Sequence, residues 1–220
     1  MKNKIIGIAK NYPNKLYSYP IFFSKPWSSI ITQRNNLGNQ NILYIMENCN
    51  IHYELELGVI IYNKANSIDK ANYLDYIGGY CLCLDITDKQ RSPLVNNDYS
   101  PQLLSKGMDN FLPIGDFIEK ESIADLNNIR LELYINNLLI QKGNISQLVY
   151  SIDEQIAILS HHCTLNKGDI ILTGFFPSGN NEKMSLNDEI VGKAVDNKSN
   201  KVISSIEFIV SDKIESIRKL

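Results

Sequence analysis

Hydrophobic and polar residues alternate most regularly along residues 51–61, which read IHYELELGVII. A period of two predicts a β-strand that places Glu54 and Glu56 on one face. Leu55 and Leu57 point to the opposite face, which we expect to lie in the core. The two carboxylates stand about 7 Å apart along such a strand, and their repulsion is roughly 2 to 3 kcal/mol if both are ionised away from bulk water. Either solvent relieves this repulsion, if the face is exposed, or a hard divalent cation binds the carboxylate oxygens.

The other apolar segments predict mainly strands. Predicted strands cover residues 4–9, 21–23, 76–87, 130–135, 138–141, 169–174, 189–195 and 201–210. Asn136 and Asn137 predict a two-residue hairpin turn, because asparagine tolerates positive φ. Ser151 and Glu154 form a capping box that predicts the start of a helix, and residues 67–74 favour a short helix or turn. The chain is therefore predicted to be α+β and mainly β, with few short helices.

One further acid lies near the end of a predicted buried strand. Asp85 belongs to the strand at 76–87, where an aspartate has two ordinary roles. It either caps the following turn or serves as a ligand at the rim of the sheet. His161 and His162, at the end of the predicted helix, suit favourable placement at a helix C-terminus as well as they suit a metal.

Composition limits the classes of function. With 220 residues and 44% hydrophobic residues, the chain is long enough for a real core and is expected to form one domain, 1–220. A formal charge of −2 without a basic run argues against nucleic-acid and membrane-surface binding. The four cysteines lack zinc-site spacing and are expected to be free thiols. No apolar run has the length of a spanning helix, and the start lacks a signal-peptide pattern, so we expect a cytoplasmic location, with mitochondria as the alternative.

Several motifs in a fixed order resemble the fumarylacetoacetate hydrolase family. They are ELELG at 54–58, GGY at 78–80 leading to DIT at 85–87, Lys106, and GDIILTG at 168–174. The similarity is to the small single-domain branch that contains acylpyruvases and oxaloacetate decarboxylases, and it extends from Ile5 to Val210. It implies a mixed, mainly antiparallel β-roll, a homodimer, and a site for Mg²⁺ or Mn²⁺. The resemblance assigns the metal to Glu54, Glu56 and Asp85, and three carboxylates with open positions also suit Mg²⁺ chemically.

The sequence departs from the family where the hydrolytic water is activated. Family members follow an Asn-Tyr pair with a histidine, which is paired with a glutamate on a lid helix. Here Asn11 and Tyr12 lead to Lys15, and the catalytic His-Glu dyad is not found. A lysine in an open loop is protonated near neutral pH and is a poor general base.

The residues expected to contact substrate are partly changed. Lys106 matches a lysine that the family uses at the oxyanion of the substrate, and this resemblance makes it the catalytic candidate. Lys25 matches a Lys-Pro pair after the second strand, although a solvated strand end would explain it equally well. Lys89 and Ser92 stand where the family has an arginine and a glutamine, so a point charge replaces a bidentate fork. The family's Gly-Thr-Pro loop reads Gly-Phe-Phe at 174–176.

These matches and losses favour one reaction class. Hydrolysis of an acylpyruvate needs an activated water, whereas decarboxylation or enolisation of oxaloacetate needs mainly a metal and a positive charge at the enolate. We therefore expect a metal-dependent enzyme for a small 2-oxo acid, with Lys25, Lys89 and Lys106 binding the substrate. The alternative is a family member that has lost catalysis and acts as a metal-binding or ligand-binding dimer.

Overall fold

The computed structural model describes residues 3–13, 19–32, 41–45, 49–91, 102–174 and 183–212. The strands are β1 Ile5–Ala9, β2 Ile21–Lys25, β3 Ile30–Thr32, β4 Ile42–Ile45, β5 Ile51–Ile61, β6 Ile77–Asp88, β7 Leu112–Ile114, β8 Ile118–Glu119, β9 Ile129–Ile135, β10 Leu138–Asn144, β11 Ile170–Leu172, β12 Glu189–Asp196 and β13 Val202–Asp212. The α-helices are α1 Leu103–Lys106 and α2 Ile152–His162, and the 3₁₀ helices are Trp27–Ser29, Lys70–Tyr76, Lys120–Ser122, Leu126–Asn128 and Ile145–Gln147.

Two curled sheets enclose one large core. The first sheet has the strand order β2-β1-β11-β5-β6-β7-β3, with β8 also paired to β6, and the second has the order β10-β9-β12-β13-β4. Most neighbouring strands are antiparallel, but β1 runs parallel to β11, β3 to β7 and β13 to β4. The mixed, mainly β architecture with few short helices is the one predicted.

The pair β5 and β6 forms the centre of the first sheet. Leu55, Leu57 and the even-numbered apolar residues of β6 are buried in the core between the sheets. The register sets Glu54 opposite Asp85 and Leu55 opposite Leu84. Because side chains alternate across a strand, the acids lie together on the face turned away from that core. The predicted assignment of the two faces is confirmed.

Short sequence patterns also predicted one turn and two helices correctly. Asn136 and Asn137 have φ values of 49° and 66° and join β9 to β10, as a two-residue hairpin turn requires. The capping box is present at the start of α2, where the Ser151 amide donates to the Glu154 carboxylate at 3.2 Å. Residues 70–76 form the short helix expected at 67–74, as a 3₁₀ helix.

Several strands are longer than predicted, and two of these extensions change the role of a residue. The strand carrying Asp85 continues to Asp88, whose carboxylate accepts hydrogen bonds from the amides of Asn50 at 3.0 Å and Gln90 at 2.9 Å. The capping aspartate is therefore Asp88, and Asp85 lies inside the strand. The second strand runs on to Lys25, which is 3% exposed, so the interpretation of Lys25 as a solvated strand end is wrong.

A glutamine from the second sheet completes the hydrogen bonding of β5. Strand β11 ends opposite Gly58, so the backbone of Leu55 has no strand partner on that side. The Gln141 side chain takes this place, since its amide group donates to the Leu55 carbonyl at 2.8 Å and its oxygen accepts from the Leu55 amide at 2.9 Å. A β-bulge between Leu139 and Gln141 accompanies this arrangement. The sheets are thus joined by hydrogen bonds beside the acidic cluster.

Replacing Gln141 by leucine should destabilise the fold. The substitution leaves one buried amide and one buried carbonyl without partners, at about 1 to 3 kcal/mol each, so the free energy of unfolding should fall by about 2 to 6 kcal/mol. Urea unfolding followed by circular dichroism measures the change. Gln90→Leu is the matched control, because Gln90 is exposed and should change stability by less than about 0.5 kcal/mol. Equal effects of the two substitutions would contradict the assigned role.

Candidate metal centre

Three carboxylates converge on the face of β5 and β6 that points away from the main core. One oxygen from each of Glu54, Glu56 and Asp85 lies within 4.8 Å of the others. Glu56 and Asp85 are each 1% exposed, whereas the Glu54 side chain keeps 35% of its exposure. Solvent therefore does not relieve the repulsion at Glu56 and Asp85, and the cluster is open to solvent on the Glu54 side.

Lys106 brings a positive charge into this cluster. It is the last residue of α1 and is 6% exposed. Its ammonium group donates to a carboxylate oxygen of Asp85 and, at 2.8 Å, to the hydroxyl of Thr87. It also lies 3.7 Å from Glu54 and 4.6 Å from the centre of the Phe23 ring. The ammonium group of Lys106 thus supplies a positive charge on one side of the acidic cluster.

Lys25 lies on the buried side of Asp85. Its ammonium group is 2.8 Å from Asp85 Oδ1 and donates to three backbone carbonyls, those of Ile86 at 3.0 Å, Lys106 at 2.6 Å and Phe111 at 2.8 Å. Lys25 therefore ties β6 to the end of α1 and to the start of β7.

A glycine loop fixes Glu56 from the other direction. The amide of Gly174 donates to Glu56 Oε2 at 2.7 Å. Gly174 has φ +101°, and a Cβ there would lie 2.7 Å from Asn11 Cβ, so no other residue fits this position without strain. Asn11 in turn donates to the carbonyls of Tyr150 and Thr173 at 2.9 Å each. The residues after β1 and after β11 thus set the position of the carboxylate.

The pKa values reflect crowded negative charge. Burial raises the pKa of Glu56 well above its ordinary value, and Asp85 and Glu54 raise it further. Burial also raises the pKa of Glu54. Burial alone would raise the pKa of Asp85 as well, but Lys106 and Lys25 lower it below its ordinary value.

The two lysines respond differently to the same surroundings. Burial lowers the pKa of Lys25 to about 8, with Asp85 acting against this effect. Burial would also lower the pKa of Lys106, but Asp85 and Glu54 outweigh it and raise the pKa. Lys106 therefore stays protonated throughout the neutral range.

The donor set fits a hard divalent cation. Carboxylate oxygens are the ligands that Mg²⁺ and Mn²⁺ prefer, and Mg²⁺ usually keeps several waters beside a few protein ligands. Burial and mutual repulsion both disfavour the ionised forms of the two glutamates, and a cation between them would reverse that penalty. Lys106 and Lys25 neutralise mainly Asp85, so an added cation is the group that would favour the ionised forms of the two glutamates.

The remaining predicted residues are only partly described. Lys89 is half-buried, and Glu54 is among the charges that act on it. Lys15 and Ser92 lie outside the described residues, as do the two phenylalanines after Gly174. His161 and His162 place their Nδ1 atoms against the carbonyls of Ala157 and Ile158 in the last turn of α2.

Sequence reasoning missed two residues near the cluster. His52 precedes Glu54 by one strand period and therefore shares its face, opposite Thr87; the alternation along β5 would have shown this. Gln141 was read only as part of a hairpin strand. No local pattern distinguishes a glutamine that crosses between sheets from one that faces water.

The chain was compared with protein-family models and known proteins. A family model described as Fumarylacetoacetate (FAA) hydrolase C-terminal matches residues 4–202. The chain belongs to the fumarylacetoacetate hydrolase family. The resemblance inferred from the motifs is thereby confirmed.

The chain is also similar to individual proteins of known name. The mitochondrial oxaloacetate decarboxylase of Dictyostelium discoideum is 38% identical over 183 residues, which cover 80% of this chain and 82% of the relative. The human mitochondrial oxaloacetate tautomerase FAHD1 is 33% identical, over 77% of this chain and 78% of its own. The fumarylpyruvate hydrolase of Pseudomonas aeruginosa, solved with Mn²⁺ and pyruvate, is 21% identical and shares the fold with a TM-score of 0.82, over 96% of this chain and 90% of its own.

Glu56→Gln should weaken cation binding without unfolding the protein. The substitution keeps the volume and removes a buried charge that its neighbours oppose, so the fold should persist while Mg²⁺ affinity falls by more than about tenfold. Calorimetric titration with Mg²⁺ measures the loss, and Glu119→Gln, at an exposed position in β8, is the control. Glu56→Ala should lose the ion as well. Unchanged Mg²⁺ affinity in both Glu56 variants would refute the assignment of Glu56 as a ligand.

Proposed function

We propose that this protein is a Mg²⁺-dependent or Mn²⁺-dependent enzyme that decarboxylates or enolises oxaloacetate or a closely similar 2-oxo acid. The observation that supports this best is the buried carboxylate cluster with the protonated Lys106 at its edge. Membership of the family and the names of the two curated relatives point in the same direction. The cation would bind to Glu54, Glu56 and Asp85.

The bound cation would act as a Lewis acid on the 2-oxo acid. The protein's own contribution comes from Lys106, whose ammonium group stands beside Glu54 and Asp85 and would stabilise negative charge that develops on the enolate oxygen. Because its pKa is raised, Lys106 offers a positive charge and hydrogen-bond donors rather than a base.

The other two lysines would take different parts. Lys89 is half-buried near Glu54 and could reach a substrate carboxylate at the open side of the cluster. Lys25 was predicted to bind the substrate, but its contacts favour an indirect role, since its ammonium group is surrounded by Asp85 and three carbonyls. We assign it to holding Asp85 and the end of α1 in place.

The absence of the family's His-Glu dyad from the sequence affects acylpyruvate hydrolysis more than oxaloacetate decarboxylation. Cleavage of an acylpyruvate needs a water activated by a base, and losing a positioned general base typically costs a factor of about 10² to 10⁴. Loss of CO₂ from oxaloacetate needs no such water, because the electron pair of the broken bond passes into the enolate. The sequence thus favours oxaloacetate chemistry over hydrolysis.

Oxaloacetate and acetylpyruvate should therefore be turned over at very different rates. With Mg²⁺, the wild-type protein should consume oxaloacetate and should cleave acetylpyruvate slowly or not at all. Lys106→Met should lower oxaloacetate turnover by about 10² to 10³, the usual cost of removing an oxyanion donor. Parallel spectrophotometric assays, corrected for spontaneous decarboxylation, measure both rates. Lys64→Met is the control, because Lys64 is an exposed lysine.

The outcomes discriminate between the candidate functions. Fast acetylpyruvate cleavage by the wild type would refute the preference for oxaloacetate and imply another base. Binding of Mg²⁺ and oxalate without turnover of either substrate would refute catalysis and favour the alternative, a metal-binding or ligand-binding dimer.

The assembly and the compartment also remain proposals. We propose a homodimer on the family resemblance, and static light scattering at micromolar concentration should give about twice the 25.0 kDa of one chain. A mass near 25.0 kDa would contradict the dimer.

No helix among the described residues is long and apolar enough to cross a membrane. The predicted compartment is the cytoplasm with mitochondria as the alternative, and both curated relatives are mitochondrial by name.

A further inference from the structure

A cavity lies on the other side of β6 from the acidic cluster. Its volume is about 410 Å³, which is within the range of small-molecule sites. Tyr80 lines it and points to the face of β6 opposite to that of Asp85, because the two positions differ by an odd number of residues. The cavity is therefore separate from the candidate metal centre.

The inner wall of this cavity is apolar and buried. It is formed by Ile123, Ile145, Leu148 and Ile152, which come from three different segments of the chain. These side chains belong to the main hydrophobic core. A ligand with an apolar body could pack against this surface.

The hydroxyl of Tyr80 has no hydrogen-bond partner among the described residues. Tyr80 is 1% exposed, and none of the hydrogen bonds among the described residues uses its hydroxyl. This hydroxyl is therefore available to a polar group of a ligand in the cavity. Burial also raises the pKa of Tyr80, so the hydroxyl is neutral and can both donate and accept.

The rim of the cavity is negatively charged. Glu121, Asp125 and Asp153 lie on it together with a single cation, Lys120. The Lys120 ammonium donates to the Leu74 carbonyl at 3.1 Å and forms no ion pair among the described residues. Burial raises the pKa of the rim tyrosine Tyr73, and the negative charges of Asp153 and Asp125 raise it further.

We propose that this cavity binds a small organic cation, a protonated amine carried on an apolar or aromatic body. The body packs on the buried wall, the ammonium group lies among the carboxylates of the rim, and the Tyr80 hydroxyl pairs with a polar group of the ligand. An anion of the same shape is rejected by the rim. This site is independent of the proposed function, because it shares no residue with the metal cluster.

Benzylamine is a suitable probe, with benzyl alcohol and benzoate as its neutral and anionic counterparts. Titrations of the protein, followed by NMR, should show benzylamine shifting the methyl signals of Ile123, Ile145 and Ile152. Benzyl alcohol should bind several-fold more weakly, and benzoate should not bind. Asp153→Asn should weaken benzylamine binding by up to about fivefold, as expected for a partly exposed charge pair, and Tyr80→Phe should weaken it about fivefold.

Glu207→Gln is the control, because Glu207 is an exposed acid on β13 and should leave the affinity unchanged. Three results would overturn the proposal: equal affinity for benzylamine and benzyl alcohol, signals that shift elsewhere, or no binding at millimolar concentration. Unchanged affinity in both Asp153→Asn and Tyr80→Phe would overturn it as well. Oxaloacetate turnover is not part of this test, so failure of the metal centre would not affect its result.

Discussion

The burial of like charges is the constraint on which this structure depends. Glu56 and Asp85 are almost completely removed from water, and Glu54 lies beside them. Such an arrangement persists only if other groups offset the repulsion. Lys25 and Lys106 do so for Asp85, and the Gly174 amide does so for one oxygen of Glu56. The fold around the cluster places the two ammonium groups and the Gly174 amide within contact of the carboxylates.

Each of these contacts comes from a distant part of the chain. Lys25 ends β2, Lys106 ends a single turn of helix, and Gly174 follows β11. Gln141 reaches in from the second sheet to hold the backbone of Leu55, the residue between the two glutamates. The distance between the carboxylates is thus set by the packing of both sheets. A site built in this way is rigid, because its supporting groups are themselves held by hydrogen bonds.

Features of the fold and of the site that are set by neighbouring residues in the sequence could be predicted, whereas those set by tertiary contacts could not. The alternation from Glu54 to Leu57, the Asn136-Asn137 turn and the capping box at Ser151 are local, and all three were read correctly. The end of the strand at Asp88 and the burial of Lys25 depend on tertiary contacts, so they were not. The metal cluster was reached through the family motifs together with the repulsion argument. The role of Gln141 could not be predicted from the sequence, because it depends on a hydrogen bond to Leu55, which lies 86 positions away.

That separation in sequence has a kinetic consequence. The contacts that shape the carboxylate cluster join residues 86 positions apart at Gln141 and 118 positions apart at Gly174. Contacts of such long range cost loop-closure entropy before they contribute stability, and folds rich in them fold slowly. We therefore expect the hydrogen bonds of Gln141 and Gly174 to form late in folding, after the local pairing of β5 with β6.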